Sequence, residues 1–196
     1  MEMIKYPRFR WFVAVVYVIV VMSTAVALIG LAPLMAMVSE TIGKNLGVTS
    51  GIVMVTFNLV LAITAIASGP LTDRFGVTLI WLVCLISLAL GFLLMPALGG
   101  TSSGLLICRI LMGAGTGPIM GSVSALAATW FPQNQRAILT GLLGFSVALG
   151  VSVGLMLTPK LAAITGNWQT AIAWEALFVI IGIILVIIVM VGPKPP

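Results

Sequence analysis

Gly69-Pro70-Leu71-Thr72-Asp73-Arg74-Phe75-Gly76 is a short stretch between two long apolar runs, and it contains two opposite charges, two glycines and a proline. Proline cannot continue the hydrogen-bond ladder of a helix, and glycine tolerates the geometry of a turn. The stretch therefore predicts that one helix ends at Gly69-Pro70 and that the next begins just after Gly76. Asp73 stands where its carboxylate would cap this second helix and favour the positive end of its dipole.

The composition around this turn is that of an integral membrane protein. Of 196 residues, 61% are hydrophobic and 7% are charged, whereas soluble domains average about 25% charged residues. Cys84 and Cys108 both lie inside apolar runs, which argues against a disulfide framework. The chain has no histidine and no basic run, so we expect no metal, no cofactor, no enzymatic activity and no nucleic-acid partner.

Six apolar segments are long enough to cross a membrane, since a span needs about 20 residues. They cover residues 11–38, 47–70, 77–96, 102–131, 137–158 and 168–191. The first competes with a cleaved signal peptide, because Ala25-Val26-Ala27 is similar to a cleavage site. Its apolar run continues to Val38, however, so we interpret it as a retained helix that Pro33 kinks. The predicted fold class is an all-α membrane protein with a single six-helix domain over residues 1–196.

The basic residues predict the orientation of this domain. With the N-terminus inside, cytoplasmic segments hold six of them and outer loops hold two, as the positive-inside rule requires. The six are Lys5, Arg8, Arg10, Arg74, Arg136 and Lys194, and the two are Lys44 and Lys160. Both termini are therefore expected in the cytoplasm, and the membrane is expected to be the cell (inner) membrane.

The opening turn resembles a motif of a known transporter family. Its spacing, Gly-x-x-x-Asp-Arg-x-Gly, resembles motif A of the major facilitator superfamily, which lies between the second and third transmembrane helices. The matching residues are Gly69, Asp73, Arg74 and Gly76. Val77 and Thr78 stand where the family usually has basic residues. The resemblance implies that Asp73 and Arg74 help to lock an outward-facing state.

A second resemblance lies in the fourth segment, where Arg109-Ile110-Leu111-Met112-Gly113-Ala114-Gly115-Thr116-Gly117 follows motif B of the same family. Gly113 and Gly117 are four residues apart, so one helix face is bare enough for a neighbouring backbone to approach. Arg109 lies about seven residues inside the span, where a charge is costly and usually functional. Three interpretations stay open: Arg109 lines a substrate cavity, it supports packing by bonding to carbonyls, or it snorkels outward.

The junction after the fourth segment and the glycines of the fifth give two weaker resemblances. Thr129-Trp130-Phe131-Pro132 followed by Arg136 resembles a junction common between helices four and five of the family. Arg136 is either a gating residue or part of an interfacial anchor and turn. Gly141, Gly150 and Gly154 reproduce the spacing that opens motif C of antiporters, but Leu155 replaces the expected proline. We therefore interpret these glycines as a helix-packing face.

Glu175 is the other charge within a predicted span, at a depth similar to that of Arg109. It would either pair with Arg109, which offsets two desolvation costs, or reach the outer interface beside Trp168 and Trp174. The remaining polar candidates for substrate or coupling roles are Asn58, Tyr17 and Thr24.

The resemblance covers the N-terminal half of the family's twelve-helix plan. It implies a secondary transporter, or half of one, that moves a small solute by alternating access. A buried arginine suits a small organic anion. The expected partners are the small-molecule substrate, membrane lipid and a second six-helix half. The chain is a truncation, half of a split pair or a half-size protein that forms a homodimer, because two copies with one topology are parallel. The alternative is a transport-inactive assembly protein with the same fold.

Overall fold

The computed structural model describes residues 7–194, and every regular element in this range is helical. The α-helices are α1 Arg10–Ile29, α2 Met35–Ile42, α3 Leu46–Ser50, α4 Thr56–Phe75, α5 Val77–Leu93, α6 Met95–Leu98, α7 Ser102–Gly121, α8 Val123–Trp130, α9 Arg136–Thr165, α10 Trp168–Trp174 and α11 Ala176–Val191. Short 3₁₀ turns occur at Ala32–Leu34 and Gln133–Gln135, and a π-helix at Gly51–Val55. Lys5, which entered the orientation count, lies outside the described residues.

Five helical segments in the described range are long and apolar enough to cross a membrane. They are Arg10–Ile42, Leu46–Phe75, Ser102–Gly121, Gln133–Thr165 and Trp168–Val191. A sixth apolar helix, α5, has 17 residues, which gives a length of about 26 Å at a rise of about 1.5 Å per residue. That length is near the lower limit for a span, and α6 continues the segment after Leu94. The all-helical class is as expected.

The packing places α1 and α7 inside the bundle. Helix α7 lies against α4 on one side and α5 on the other, while α1 lies against α9 and α11. Helix α5 also packs on α11. Helices α4 and α9 are mostly uncovered and expose large apolar side chains. The described helices therefore enclose a core around α1 and α7, and two long apolar faces remain open.

Several spans are interrupted, and three of these interruptions lie in the first, second and sixth spans. The first changes from α1 to α2 through the 3₁₀ turn that contains Pro33, whose missing N–H removes a helical hydrogen bond. The second begins as α3 and passes through the π-helix before α4. The third interruption separates α10 from α11 at Glu175, whose N–H donates to the carbonyl of Ile172 at 3.1 Å. Interruptions of this kind can free backbone carbonyls from the regular ladder of helical hydrogen bonds.

Two of the predicted helix ends are wrong for the same reason. Helix α4 does not end at Gly69-Pro70 but includes Pro70 and runs to Phe75, and α9 includes Pro159 and runs to Thr165. A proline removes one hydrogen bond, and neighbouring side chains and helices can satisfy the freed group within a bundle. The helices end instead at Gly76 and Gly166, whose φ angles of +81° and +66° leave the helical region.

The predicted cap is also wrong. Asp73 lies within the last turns of α4, and the N-cap position of α5 is occupied by Gly76, with no side-chain hydrogen bond. The helix continues past Pro70, so Asp73 never reaches the start of the next helix. Arg74 lies in the last turn of α4, where a positive charge is favourable to the helix dipole. Its guanidinium lies 5.2 Å from the Phe75 ring centroid.

Candidate functional site

Arg109 on α7 is buried in the centre of the bundle and is only 1% exposed. Its Nε donates to the Val53 carbonyl at 2.7 Å, and its Nη1 donates to the Ala27 carbonyl at 2.8 Å. A longer bond of 3.5 Å joins Nη2 to the Leu28 carbonyl. The guanidinium carbon lies 4.4 Å from the ring centroid of Phe57, which is cation–π geometry.

The helix interruptions explain why these carbonyls are available. Ala27 and Leu28 belong to the last turn of α1, and the terminal carbonyls of a helix have no intrahelical partners. Val53 belongs to the π-helix that precedes α4, and such irregular turns are frequent at functional sites. Arg109 thus joins the interruptions of the first and second spans. The neighbouring carbonyls provide partial negative charge at the end of α1.

This geometry bears on the three interpretations of Arg109. Outward snorkelling is wrong, because the guanidinium is enclosed by α1, the π-helix and Phe57. The packing interpretation agrees with the hydrogen bonds that Arg109 donates to the carbonyls of Val53 and Ala27 on neighbouring helices. No carboxylate lies within bonding contact of Arg109 in the described part of the chain, so its hydrogen bonds go only to neutral acceptors.

Glu175 lies at the interruption between α10 and α11 and is 1% exposed. Its Oε1 forms a short hydrogen bond with Oγ1 of Thr158 on α9. Its Oε2 is buried with no hydrogen-bond partner among the described residues and lies beside Gly30. The sequence-based interpretation that Glu175 reaches the outer interface is therefore wrong, because the interruption directs the side chain inward between α1 and α9.

The two tryptophans beside Glu175 differ from each other. Trp174 is more than half exposed, while Trp168 is buried and donates from Nε1 to Oγ1 of Thr41 at 2.9 Å. Within residues 7–194, Glu175 and Arg109 bind different partners and form no ion pair with each other.

The structure does not gather the other polar candidates around Arg109. Tyr17 is fully buried, its ring stacks on Trp81 with centroids 5.7 Å apart, and its hydroxyl has no partner among the described residues. Thr24 donates to the Val21 carbonyl of its own helix at 2.7 Å. Asn58 is exposed and donates to the Met54 carbonyl at 2.9 Å. Each of these three side chains thus has its own separate environment.

The residues of the opening turn line a groove at one end of the bundle. A cavity of about 530 Å³ lies there, between the end of α4, the end of α8 and the end of α11. Its lining includes Asp73, Gly76, Thr129 and Lys194. Gly69 and Arg74 are exposed nearby.

Arg136 is half-buried at the start of α9 and closes the junction with α8. It donates from Nε to the Phe131 carbonyl at 3.2 Å and from Nη2 to the Ala128 carbonyl at 3.3 Å. Because α8 and α9 are joined through this side chain, Arg136 fixes the turn that borders the groove.

Four of the glycines named as packing positions lie where helices approach closely. A Cβ atom at Gly113 would lie 2.8 Å from the Phe57 carbonyl oxygen, and one at Gly117 would overlap the backbone of α4. On α9, a Cβ at Gly150 would overlap Met22 of α1, and one at Gly154 would lie 2.8 Å from Ile29 Cγ2. Glycine thus allows the contacts of α7 with α4 and of α9 with α1.

The sequence analysis missed the partners of both charges: the carbonyls of Ala27, Leu28 and Val53 and the ring of Phe57 around Arg109, and Thr158 and Gly30 beside Glu175. Sequence signals existed for Thr158 and Gly30, because both lie close to a proline within an apolar run. Thr158 directly precedes Pro159, and Gly30 precedes Pro33 by three residues. Nothing in the sequence around Val53 indicates a π-helix, because a single extra residue per turn has no compositional signature.

Known proteins resemble this chain along most of its length. The family model of the Major Facilitator Superfamily matches residues 12–196. The hexuronate transporter of Bacillus subtilis is 31% identical over 134 residues, which are 68% of this chain and 30% of that protein. The 4-hydroxybenzoate transporter PcaK of Acinetobacter baylyi is 25% identical over 178 residues, which are 89% of this chain and 36% of that protein.

A plant relative and a solved structure agree with this match. The probable anion transporter 4, chloroplastic, of Arabidopsis thaliana is 38% identical over 57% of this chain and 21% of that protein. A bacterial homologue of the human lysosomal transporter Spinster, in an inward-facing and unoccupied conformation, superposes with a TM-score of 0.66 at 17% identity. This likeness covers 98% of the chain and 45% of the homologue.

The chain spans about a third or less of the length of these curated relatives. They are transporters rather than enzymes, and the several apolar helices make the chain an integral multi-pass membrane protein. The family resemblance of the charged turn is confirmed by the match over nearly the whole sequence. The chain belongs to the Major Facilitator Superfamily.

Proposed function

We propose that this chain is a six-helix unit of a secondary transporter that moves a small organic anion by alternating access. The observation that carries the proposal is the buried guanidinium of Arg109, which has only neutral acceptors around it in the described residues. A buried charge without a counter-charge is costly and marks a functional site in a membrane protein. The named substrates of the relatives, a hexuronate and 4-hydroxybenzoate, are organic anions.

Arginine chemistry fits an anionic ligand. Its planar fork binds a carboxylate or phosphate through two parallel hydrogen bonds, and such bonds are stronger than those to neutral carbonyls. The bond from Nη2 to Leu28 is already long at 3.5 Å, near the limit of an effective hydrogen bond. We infer that a small shift of the α1 interruption exchanges this carbonyl for an anionic oxygen of the substrate.

The open faces of α4 and α9 are the proposed contact with a second six-helix unit. Both helices are mostly uncovered and expose large apolar side chains along their length, and within a membrane such faces contact either lipid or another helix. The second unit is a second copy of this chain or a separate chain. The proposed six spans are the five long segments and a sixth made of α5 and α6 together. An even number of spans would place the C-terminus on the same side of the membrane as the N-terminus.

The groove at the charged turn is the proposed gating region. Asp73 lines it, Arg74 follows Asp73 in the last turn of α4, and Arg136 donates to the carbonyl of Ala128, which also lines the groove. With both termini in the cytoplasm, this groove faces the cytoplasm of a cell whose inner membrane holds the protein. Movement of the second unit against the groove would then open or close the path beside Arg109.

Transport through Arg109 is tested by uptake in proteoliposomes with a hexuronate, 4-hydroxybenzoate and inorganic phosphate as probes. We expect Arg109→Lys to lose uptake about tenfold or more, nearly as much as Arg109→Ala, because hydrogen bonds to charged groups contribute about 1.5–3 kcal/mol. Lysine keeps the charge but lacks the fork. The matched control is Arg8→Lys, at an exposed arginine, which should transport like the parent protein.

The carbonyl bonds of Arg109 also favour a second candidate function, that of a transport-inactive assembly protein in which the arginine only joins helices. In that case no probe is taken up by monodisperse parent protein, and both Arg109 variants lower only the folded yield. Full uptake by Arg109→Lys would also contradict an anion-binding role, since the fork would then be dispensable.

A further inference from the structure

Glu175 lies where interruptions or prolines of three spans meet. It separates α10 from α11, it lies beside Gly30 at the end of α1, and its partner Thr158 directly precedes Pro159 of α9. Buried carboxyl groups are rare inside membrane bundles unless a positive charge or several donors surround them. Here Oε1 has one partner and Oε2 has none among the described residues.

The hydroxyl group of Thr158 has too few hydrogens to donate to both of its neighbours. A threonine hydroxyl has one hydrogen to donate, and Oγ1 of Thr158 lies 2.7 Å from the Gly154 carbonyl oxygen, which can only accept. If Thr158 donates to Gly154, then the hydrogen between Thr158 and Glu175 belongs to the carboxyl group. If Thr158 donates to Glu175 instead, Oε2 remains a buried, charged oxygen with no donor, which is costly.

We propose that Glu175 is a proton-binding site that holds its proton in this arrangement and donates it as a hydrogen bond to Thr158. The chain of bonds then runs from Glu175 to Thr158 and on to the Gly154 carbonyl, with every hydrogen used once. The proton is taken up from water and returned to water, so no other reactant takes part.

The charged surroundings of Glu175 are few. From α7, Arg109 is the charged group that acts on it electrostatically. The charged residues nearest along the chain on the neighbouring spans, Lys160 and Glu40, are exposed. Helix α11 and its preceding turn carry no other charged side chain. Arg10 and Arg136 stand at the first positions of α1 and α9, about 20 residues along the chain before Gly30 and Thr158. The other ionisable groups on the packed helices are uncharged in their ordinary state at neutral pH. They are Tyr17 of α1, Cys84 of α5 and Cys108 of α7.

Glu175 and Arg109 act on the same segment of the first span. Arg109 binds the carbonyls of Ala27 and Leu28, and Glu175 lies against Gly30 only two residues later. A neutral Glu175 leaves Arg109 as the uncompensated charge and favours an anion there, whereas an ionised Glu175 competes as a counter-charge. The coupling of the proton to an anion, which rests on the proposed transport function, therefore predicts that both are bound together.

The proton itself is tested by infrared spectroscopy of the purified chain at neutral pH, without any substrate. Glu2, Glu40, Asp73 and Glu175 are the acidic side chains, so the C=O stretching band of a protonated carboxyl group has few possible origins. We expect the band in the parent protein, its loss in Glu175→Gln, and a shift in Thr158→Val, which removes the acceptor. An absent band in the parent, or a band that persists in Glu175→Gln, overturns the proposal.

Two matched controls accompany these variants. Thr116→Val removes another buried threonine hydroxyl, which donates to the Met112 carbonyl at 2.9 Å, and Glu40→Gln removes an exposed carboxylate. Both should leave the band unchanged. If Glu175→Gln does not yield monodisperse protein, the shift in Thr158→Val against the unchanged Thr116→Val decides the assignment of the band.

Coupling is tested separately by anion uptake with and without an inward proton gradient. One pH unit corresponds to about 1.4 kcal/mol per proton, so one coupled proton supports about tenfold accumulation of the anion. We expect this accumulation in the parent protein and in Thr116→Val, and none in Glu175→Gln. A band without uptake by any variant supports the proton site and contradicts the transport function. Accumulation by Glu175→Gln equal to that of the parent contradicts the coupling.

Discussion

Arg109 and Glu175 hold one interruption of the first span from different sides. Arg109 reaches it from α7 through two carbonyls, and Glu175 reaches it from the α10–α11 interruption through contact with Gly30. Neither side chain bonds to the other within the described residues. The backbone between Ala27 and Gly30 thus lies between the positive charge of Arg109 and the carboxyl group of Glu175, which can bind or release a proton.

Gly30→Ala tests this arrangement at a single residue. A Cβ atom there would lie 2.6 Å from Oε2 of Glu175 and 3.0 Å from the Val26 carbonyl oxygen. The carboxyl group is the flexible end of its side chain, so it should move away from Thr158 while the bundle stays folded. We expect a shifted carboxyl C=O band in the infrared spectrum with a folded yield close to that of the parent.

The control for this change is Gly141→Ala, because a Cβ atom there meets no atom within 4 Å. It should leave both the band and the yield unchanged. An unchanged band in Gly30→Ala would mean that Glu175 does not rest against the end of α1 as described.

At the scale of helices, the way each helix ends separates what the sequence predicts from what it does not. Some features depend only on the local sequence and could be predicted: the apolar runs, the depth of Arg109 and the spacing of Gly113 and Gly117. The continuation of helices α4 and α9 through Pro70 and Pro159 could not be predicted, because it depends on whether neighbouring groups satisfy the carbonyls that proline frees. Those groups belong to other helices or to the solvent, and their positions are fixed only when the bundle packs.

The candidate site follows the same division. Arg109 and Glu175 were identified as buried charges, since any charge inside an apolar run is conspicuous. Their partners were not identified, because the carbonyls of α1 and the hydroxyl of Thr158 become available only through helix interruptions. The contact of Glu175 with Gly30 joins residues separated by most of the chain, so local spacing contains no information about it.

Close packing of α4 on α7 is tested by Gly117→Ala. The added Cβ would overlap the Leu61 carbonyl and Oγ1 of Thr64, and backbone atoms cannot move aside as a flexible side chain can. Overpacking of this kind typically costs about 1–3 kcal/mol. We expect a lower melting temperature and less monodisperse protein, measured by thermal unfolding in detergent. Gly144→Ala, where a Cβ meets no atom within 4 Å, should be neutral, and equal stability of both variants would contradict the packing role.

At the scale of the whole molecule, the proposed six-span arrangement places the two uncovered helices α4 and α9 at comparable depth in the membrane. Helix α4 ends at Phe75 and α9 begins at Arg136, and the α5–α6 and α7–α8 segments between them return the chain to one side. Ile66 and Phe145 each lie nine residues from that side, which is about 14 Å along a helix. They are 82% and 58% exposed, so each presents an apolar side chain outward at the same level.

Two parallel copies that join α4 of one to α9 of the other would bring these positions together. We expect the combination of Ile66→Cys and Phe145→Cys, in a chain whose native Cys84 and Cys108 are replaced by alanine, to form an intermolecular disulfide in membranes. The bond requires Cα atoms within about 7 Å, so only a direct contact of the two helices allows it. Non-reducing electrophoresis measures the dimer.

The control combination is Val83→Cys on α5 and Ile184→Cys on α11. Both positions are exposed at a similar depth but lie away from the proposed contact, so this variant should stay monomeric. Equal dimer from both combinations would indicate random collision, and no dimer from the first would contradict assembly of two copies through α4 and α9.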